Sequence, residues 1–202
     1  FLKELDSLSS DIIHMINRVH SQGQGSIGFK DVVGDFAIDN EFAPLEQSGL
    51  SAPIDNGSFV VTLRDARTGL VTTHDISIRQ QGLGTDTTAV DLVKQLDDIP
   101  GLKASLNNEG KLRLTSDSEA IEFSFSADNS GVLAALGINT FFRGDSAISI
   151  EVKPEFDSQP NLLAVSLNGV GNGADNALQL ADVFESVSET LGGRSLRQNY
   201  EA

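Results

Sequence analysis

The chain has 202 residues, 39% of them hydrophobic, enough to pack a core in one domain or two modest ones. Its 29 Asp and Glu outnumber 14 Lys and Arg, and the formal net charge of −15 opposes contact with nucleic-acid phosphates or anionic lipid. The absence of cysteine excludes disulfides, thiolate metal sites and a cysteine nucleophile, and no apolar run approaches the roughly 20 residues of a membrane-spanning helix.

Leu2, Leu5, Leu8, Ile12, Met15, Ile16 and Val19 recur near the 3.6-residue period and predict an amphipathic helix from the start of the chain to His20. The apolar stripe is already running at Phe1 with no capping residue, so the natural helix is expected to begin upstream. Arg18 and His20 sit at the negative end of its dipole, and Gly23 reverses the chain. Residues 21–57 are Gly- and Asp-rich and are assigned at most brief strands.

From Phe59 the period becomes two. Phe59, Val61 and Leu63 share one side, Asp65-Ala-Arg-Thr-Gly69 turns, and Thr72, His74, Ile76 and Ile78 return on a common face, which reads as a hairpin. Thr88-Ala-Val-Asp91 has capping-box spacing and opens a helix carrying Ala89, Leu92, Val93 and Leu96, ended by Pro100-Gly101. Three alternating runs follow, at Leu102/Ala104/Leu106, Leu112/Leu114 and Ile121/Phe123/Phe125, and are expected to form a meander in one antiparallel sheet with helices on its inner face. Ser130 is placed as the cap of a short helix with Leu133, Ala134 and Leu136. Gly137 serves as its left-handed end, and Ile138 folds back. Phe141 and Phe142 are expected to point to opposite sides of an extended backbone.

After a possible strand at residues 148–152, Ala177, Leu180, Ala181, Phe184, Val187 and Leu191 predict a second long helix, capped by Asp175 and closed by Gly192-Gly193. The expected architecture is α+β. Two long amphipathic helices pack as a stalk from residues 1–23 and 161–202, and residues 24–160 form an inserted antiparallel β-rich lobe carrying short helices. Leu2, Leu5, Leu8, Ile12, Ile16, Leu180, Phe184 and Leu191 are the candidate helix-packing or subunit-interface residues, with Leu2, Leu5, Leu8 and Phe184 expected near a bare surface.

Little here points to catalysis. His14, His20 and His74 are the only histidines, and no triad surrounds them. Asp11 and His14 make a two-ligand fragment, better read as a solvated pair than as a metal site. Gly169-Val-Gly-Asn-Gly173 lacks the Lys-Ser/Thr ending of a phosphate loop, and Asp35, Asp39, Asn40 and Glu41 miss the EF-hand spacing. No catalytic residue, cofactor or metal is expected.

Three segments carry a resemblance: Asn17-Arg-Val-His-Ser-Gln-Gly23, Leu133-Ala-Ala-Leu-Gly-Ile-Asn-Thr-Phe-Phe-Arg-Gly144 and Asp175-Asn-Ala-Leu-Gln-Leu-Ala-Asp182. In order and rough spacing they resemble the middle of the bacterial flagellar hook-associated protein 1 family. The motif positions are Asn17, His20, Gly23, Leu136, Gly137, Phe141, Phe142, Gly144, Asp175 and Asn176. The stretch from Thr88 through Leu114 also resembles the "flagellin IN" type segment of that superfamily. The resemblance implies a structural subunit at the joint of hook and filament, exported without a cleaved signal and assembled outside the cell. It implies as partners the hook protein, a second junction protein, further copies of the chain and, for the full-length protein, an export chaperone. The family's long apolar-periodic terminal segments are absent here, so the chain reads as a middle portion, monomeric by itself, with no nucleic-acid or membrane partner. The alternatives are an extracellular glycan- or surface-binding module, which the lack of Trp and the single Tyr200 disfavour, and a related flagellin or filament cap.

Overall fold

The first apolar stripe folds as α1 (Leu2–His20), a 19-residue helix in a computed structural model that describes residues 2–167, 169, 173–185, 187–188, 193–195 and 198. Ile13 and Ile16 of α1 are buried and Leu8, Ile12, Met15 and Val19 are half-buried; of the polar residues between them Ser10 is exposed, Asp11, His14 and Arg18 are half-buried, and Ser9 and Asn17 are buried.

The hairpin forms as β2 (Gly57–Asp65) and β3 (Val71–Ile78), with Phe59 opposite Ile76 and Leu63 opposite Thr72. Its turn is closed by Asp65, whose Oδ1 accepts the Arg67 N–H at 2.8 Å, and by Gly69 at φ 72°. The meander divides, contrary to the single sheet expected. β4 (Leu102–Leu106) and β5 (Lys111–Ser116) pair with each other, but β6 (Ile121–Ser126) leaves them for the free edge of β2. Within the passage expected to be irregular, β1 (Asp31–Ala37) adds to β5, giving two three-stranded antiparallel sheets ordered β1-β5-β4 and β3-β2-β6.

The cause of the division lies in Phe29, Phe59, Phe123 and Phe125, which stack at centroid distances of 5.8 to 6.4 Å. Burial of Phe59, Phe123 and Phe125, at roughly 1.5–3 kcal/mol each, draws β6 onto β2. Phe29 exchanges backbone bonds of 2.7 and 2.9 Å with Phe123 just before β1 joins β5, so one run of chain stitches both sheets. The helix α2 (Ala89–Asp97) lies across β3 and β4, one strand of each sheet, with Leu92 and Leu96 buried. Its capping box is present, with the Asp91 N–H donating to Thr88 Oγ1 at 3.1 Å and the Thr88 N–H to Asp91 Oδ2 at 3.0 Å. The short helix α3 (Val132–Leu136) is wholly buried against β1.

The tail overturns the stalk. β7 (Phe142–Arg143) and β8 (Glu151–Val152) form a two-residue ladder in place of the strand expected over 148–152, and Ile148 is 96% exposed. After α4 (Glu155–Ser158), α5 (Asp175–Asp182) runs for only 8 residues. A 3₁₀ turn at Val183–Glu185 and a small ladder of β9 (Val187–Ser188) with β10 (Arg194–Ser195) follow. The sequence after Asp182 explains the break: Val183, Ser186, Val187, Ser188 and Thr190 are poor helix formers. Although α1 and α5 touch, two long helices packed as a stalk are not what this chain builds. α1 also packs on α3 and β7, and so belongs to the body as much as to α5.

Candidate functional site

The end of α1 is where the chain converges. Asn17 turns its amide toward the segment after α3: Oδ1 accepts the N–H groups of Phe141 at 3.0 Å and Phe142 at 2.8 Å, and Nδ2 donates to the Phe142 carbonyl at 2.9 Å. Two consecutive N–H groups aimed at one acceptor require the backbone to turn at Phe141, just before β7 begins, since in a continuous strand they alternate. The expectation that Phe141 and Phe142 point apart is therefore corrected. Their rings meet edge to face at 4.8 Å, both half-buried, and join Ile12, Ile16, Leu180 and Val183 in a second apolar cluster.

One turn on, His20 is fully buried and spends both ring nitrogens. The Ala164 N–H donates to Nε2 at 3.1 Å, which requires a lone pair there, so the proton sits on Nδ1 and is donated to the Asn139 carbonyl at 2.8 Å. Burial lowers the His20 pKa from 6.5 to about 4; the Asn139 carbonyl opposes this shift, and the Lys153 charge adds to it. Phe141 and Phe156 flank the ring at 5.9 and 5.5 Å. Asn139, at φ 52°, sends Nδ2 to the Gly23 carbonyl at 2.8 Å, a left-handed conformation that asparagine tolerates better than most residues.

The third segment closes from the other side. Gln24 and Ser166 exchange backbone bonds of 2.8 and 3.2 Å, and Asn176 Nδ2 donates to the Ala164 carbonyl at 2.7 Å. Gly23 lies directly beneath Asn176, where a Cβ would fall inside the Asn176 side chain and 3.0 Å from the Ala164 carbonyl oxygen. Gly23→Ala should therefore lower stability by about 1–3 kcal/mol through overpacking, read as a lowered urea midpoint.

On the far side of α3, Gly137 at φ 70° ends the helix and the Ile138 N–H returns to the Leu133 carbonyl at 2.8 Å, as the sequence suggests. The N-terminal cap belongs elsewhere than expected. Asp128, not Ser130, receives the Ser130, Gly131 and Leu133 N–H groups, and Ser130 Oγ makes only a 3.3 Å contact with the Val132 N–H. Lys153 is likewise unanticipated. Its N–H holds the Phe141 carbonyl at 3.0 Å, and its Nζ donates to the Gly137 carbonyl at 2.6 Å.

Of the residues singled out from the sequence, Asn17, His20, Gly23, Leu136, Gly137, Phe141, Phe142 and Asn176 meet in or beside this clamp. Gly144, at φ 95°, lies farther along, packed beneath Ser149, and Asp175 opens α5 one residue after its N-cap, Ala174. Ile12, Ile16 and Leu180 lie in the second cluster with Leu8 at its margin, and Leu5 is 42% exposed. The Leu2 and Phe184 side chains, and Leu191 altogether, lie outside the described residues. Sequence reasoning missed Asn139, Asp128 and Lys153. Only the first carried a usable signal, as an asparagine following a helix-ending Gly-Ile.

Chemically, the clamp binds backbone to side chain and leaves its imidazole with no free nitrogen. Among the described residues, no group of three or more His, Asp or Glu could hold a metal ion, and no helix is long and apolar enough to cross a membrane. A groove of about 530 Å³ runs over the outer face of the β3-β2-β6 sheet, lined in part by Val60, Thr62, Thr73 and Ser124, with Arg64 and Glu122 opposite each other across the ladder. In comparison with known proteins, no family model matches the chain, and no curated protein matches it.

Proposed function

We propose that this chain is a structural subunit of the bacterial flagellum, of the type that joins hook to filament, and that it acts by packing without catalysis. One observation carries the reading. The three segments on which the resemblance rests are far apart in sequence, with Asn17 and Phe142 separated by 125 positions, and Asn176 of the third is joined to His20 through Ala164, whose carbonyl it holds and whose N–H the imidazole accepts. They nonetheless close on a single hydrogen-bonded clamp. A clamp of this kind fixes the orientation of α1 relative to the sheet-bearing body, which a subunit held between two differently built tubes needs in order to transmit torque without hinging.

The fully engaged imidazole supports a structural role over an acid–base one, because a general base needs a free nitrogen facing a substrate. Leu5, 42% exposed on α1, and Leu178, 66% exposed on α5, leave apolar surface for neighbouring subunits. In this reading the neighbours are the hook protein, a second junction protein and further copies of the chain. In the same reading the protein travels with an export chaperone and works outside the cell.

Immunogold electron microscopy of flagella from the source bacterium tests the reading. Antibody raised against this chain should decorate a short zone between hook and filament. Label spread along the filament would point to a flagellin, label at the tip to a cap, and absence of label from the flagellum would reject the assignment.

A further inference from the structure

Lys153 is the one lysine described as buried, with 3% of its side chain exposed, and it lies between two carboxylates. Its Nζ is 2.8 Å from Asp35 Oδ2 and 3.8 Å from Glu155 Oε1. The Asp35 oxygen is buried and has no hydrogen-bond partner, so the ammonium meets it at ion-pair distance but away from the hydrogen-bond direction. Both ends are held. Asp35 sits in β1 beneath Gly137, where any Cβ would come within 2.8 Å of its backbone nitrogen. Lys153 is pinned by its own N–H to Phe141 and by Nζ to the Gly137 carbonyl.

We propose that Lys153 and Asp35 condense to an intramolecular isopeptide bond, with Glu155 as the group that relays the protons. Glu155 takes a proton from the ammonium, and the freed Nζ attacks Cγ of Asp35. The C–N bond forms as the Cγ–Oδ2 bond breaks, and Oδ2 leaves as water carrying two protons that began on Lys153 and pass through Glu155. Glu155 ends unchanged, one ammonium and one carboxylate become a neutral amide, and nothing is oxidised or reduced.

Two physical arguments favour the step. Groups held at contact by a packed fold react at effective concentrations that no bimolecular condensation reaches, which offsets the unfavourable equilibrium of amide formation in water. Removing both charges also removes the desolvation cost of a buried ion pair, a cost that the pair's mutual attraction barely repays. A groove of about 520 Å³ lined by Val32, Lys153, Glu155 and Leu162 gives the released water an exit. The bond would tie β1 covalently to the segment that carries the clamp, and it stands independently of the flagellar reading.

The test is the intact mass of the folded 202-residue chain after incubation at neutral pH. The expected result is a mass lighter than the sequence by one water, and a branched peptide joining residues 35 and 153 after proteolysis. Lys153→Arg and Glu155→Gln should restore the full mass, and Asp35→Asn should shed ammonia in place of water. An unmodified wild-type mass with no branched peptide would overturn the proposal and leave an ion pair only. That measurement decides the matter even if a variant fails to fold.

Discussion

Asp128→Ala is expected to lower the free energy of unfolding by about 4 kcal/mol, seen as a large drop in the urea midpoint. The carboxylate is fully buried and makes four contacts: Oδ1 accepts the Ser130 N–H at 3.1 Å, the Ser130 hydroxyl at 2.7 Å and the Gly131 N–H at 2.9 Å, and Oδ2 accepts the Leu133 N–H at 3.0 Å. Alanine leaves three N–H groups without this acceptor at the start of a helix with no solvent-facing residue, and each orphaned donor costs about 1–3 kcal/mol. The full sum is not reached. Burial also raises the Asp128 pKa against its hydrogen bonds, so removing the charge returns part of the loss. Asp128→Asn should fall between, since it keeps an acceptor for Ser130 and Gly131 while turning an amide N–H₂ toward the Leu133 N–H. A loss below about 1 kcal/mol for Asp128→Ala would mean that α3 is held by its apolar contacts alone.

Acid should loosen the clamp through His20. The folded-state pKa, about 4, lies below the unfolded value near 6.5, so the unfolded chain binds the extra proton first as pH falls. The stabilisation is therefore fully present above pH 6.5 and is lost progressively down to about pH 4, a change of roughly 3 kcal/mol. His14, also lowered by its burial and by Arg18, adds a smaller slope of the same sign. Asp128, whose pKa is raised by burial, contributes with the opposite sign. His20→Leu separates these contributions. It should be less stable at neutral pH, because the Ala164 N–H and the Asn139 carbonyl lose their partner, and its stability between pH 6.5 and 4 should be much flatter than that of the wild type. Equal slopes in the two proteins, measured by urea unfolding at several pH values, would place the acid sensitivity elsewhere.

Local signals read well where one short stretch carries the whole mechanism. The helical period from Leu2 to Val19, the Thr88 to Asp91 capping box, the Asp65 to Gly69 turn and the left-handed Gly137 are each completed by residues within a few positions of one another. The candidate site was legible only in parts. Asn17, His20, Gly23 and Asn176 stood out as motif positions, yet nothing near His20 in sequence indicates that its partners are the Ala164 N–H and the Asn139 carbonyl. The second long helix failed for a related reason. An apolar spacing can be satisfied by α5, a 3₁₀ turn and a short ladder, and propensity after Asp182 chose among them.

By itself, then, the sequence determined the acidic, cysteine-free composition, the first helix, the hairpin, the capped α2 and the places where the chain must turn. Tertiary structure decided the rest: that β6 joins β2 while β5 joins β1, that Asp128 caps α3, that Phe141 and Phe142 stack, and that three distant segments share one buried imidazole. The physical reason is range. Helix periods, caps and turns are settled by groups a few bonds apart, whereas strand partners and buried polar pairings are settled by which donors and acceptors would be stranded without water once the phenylalanine core closes.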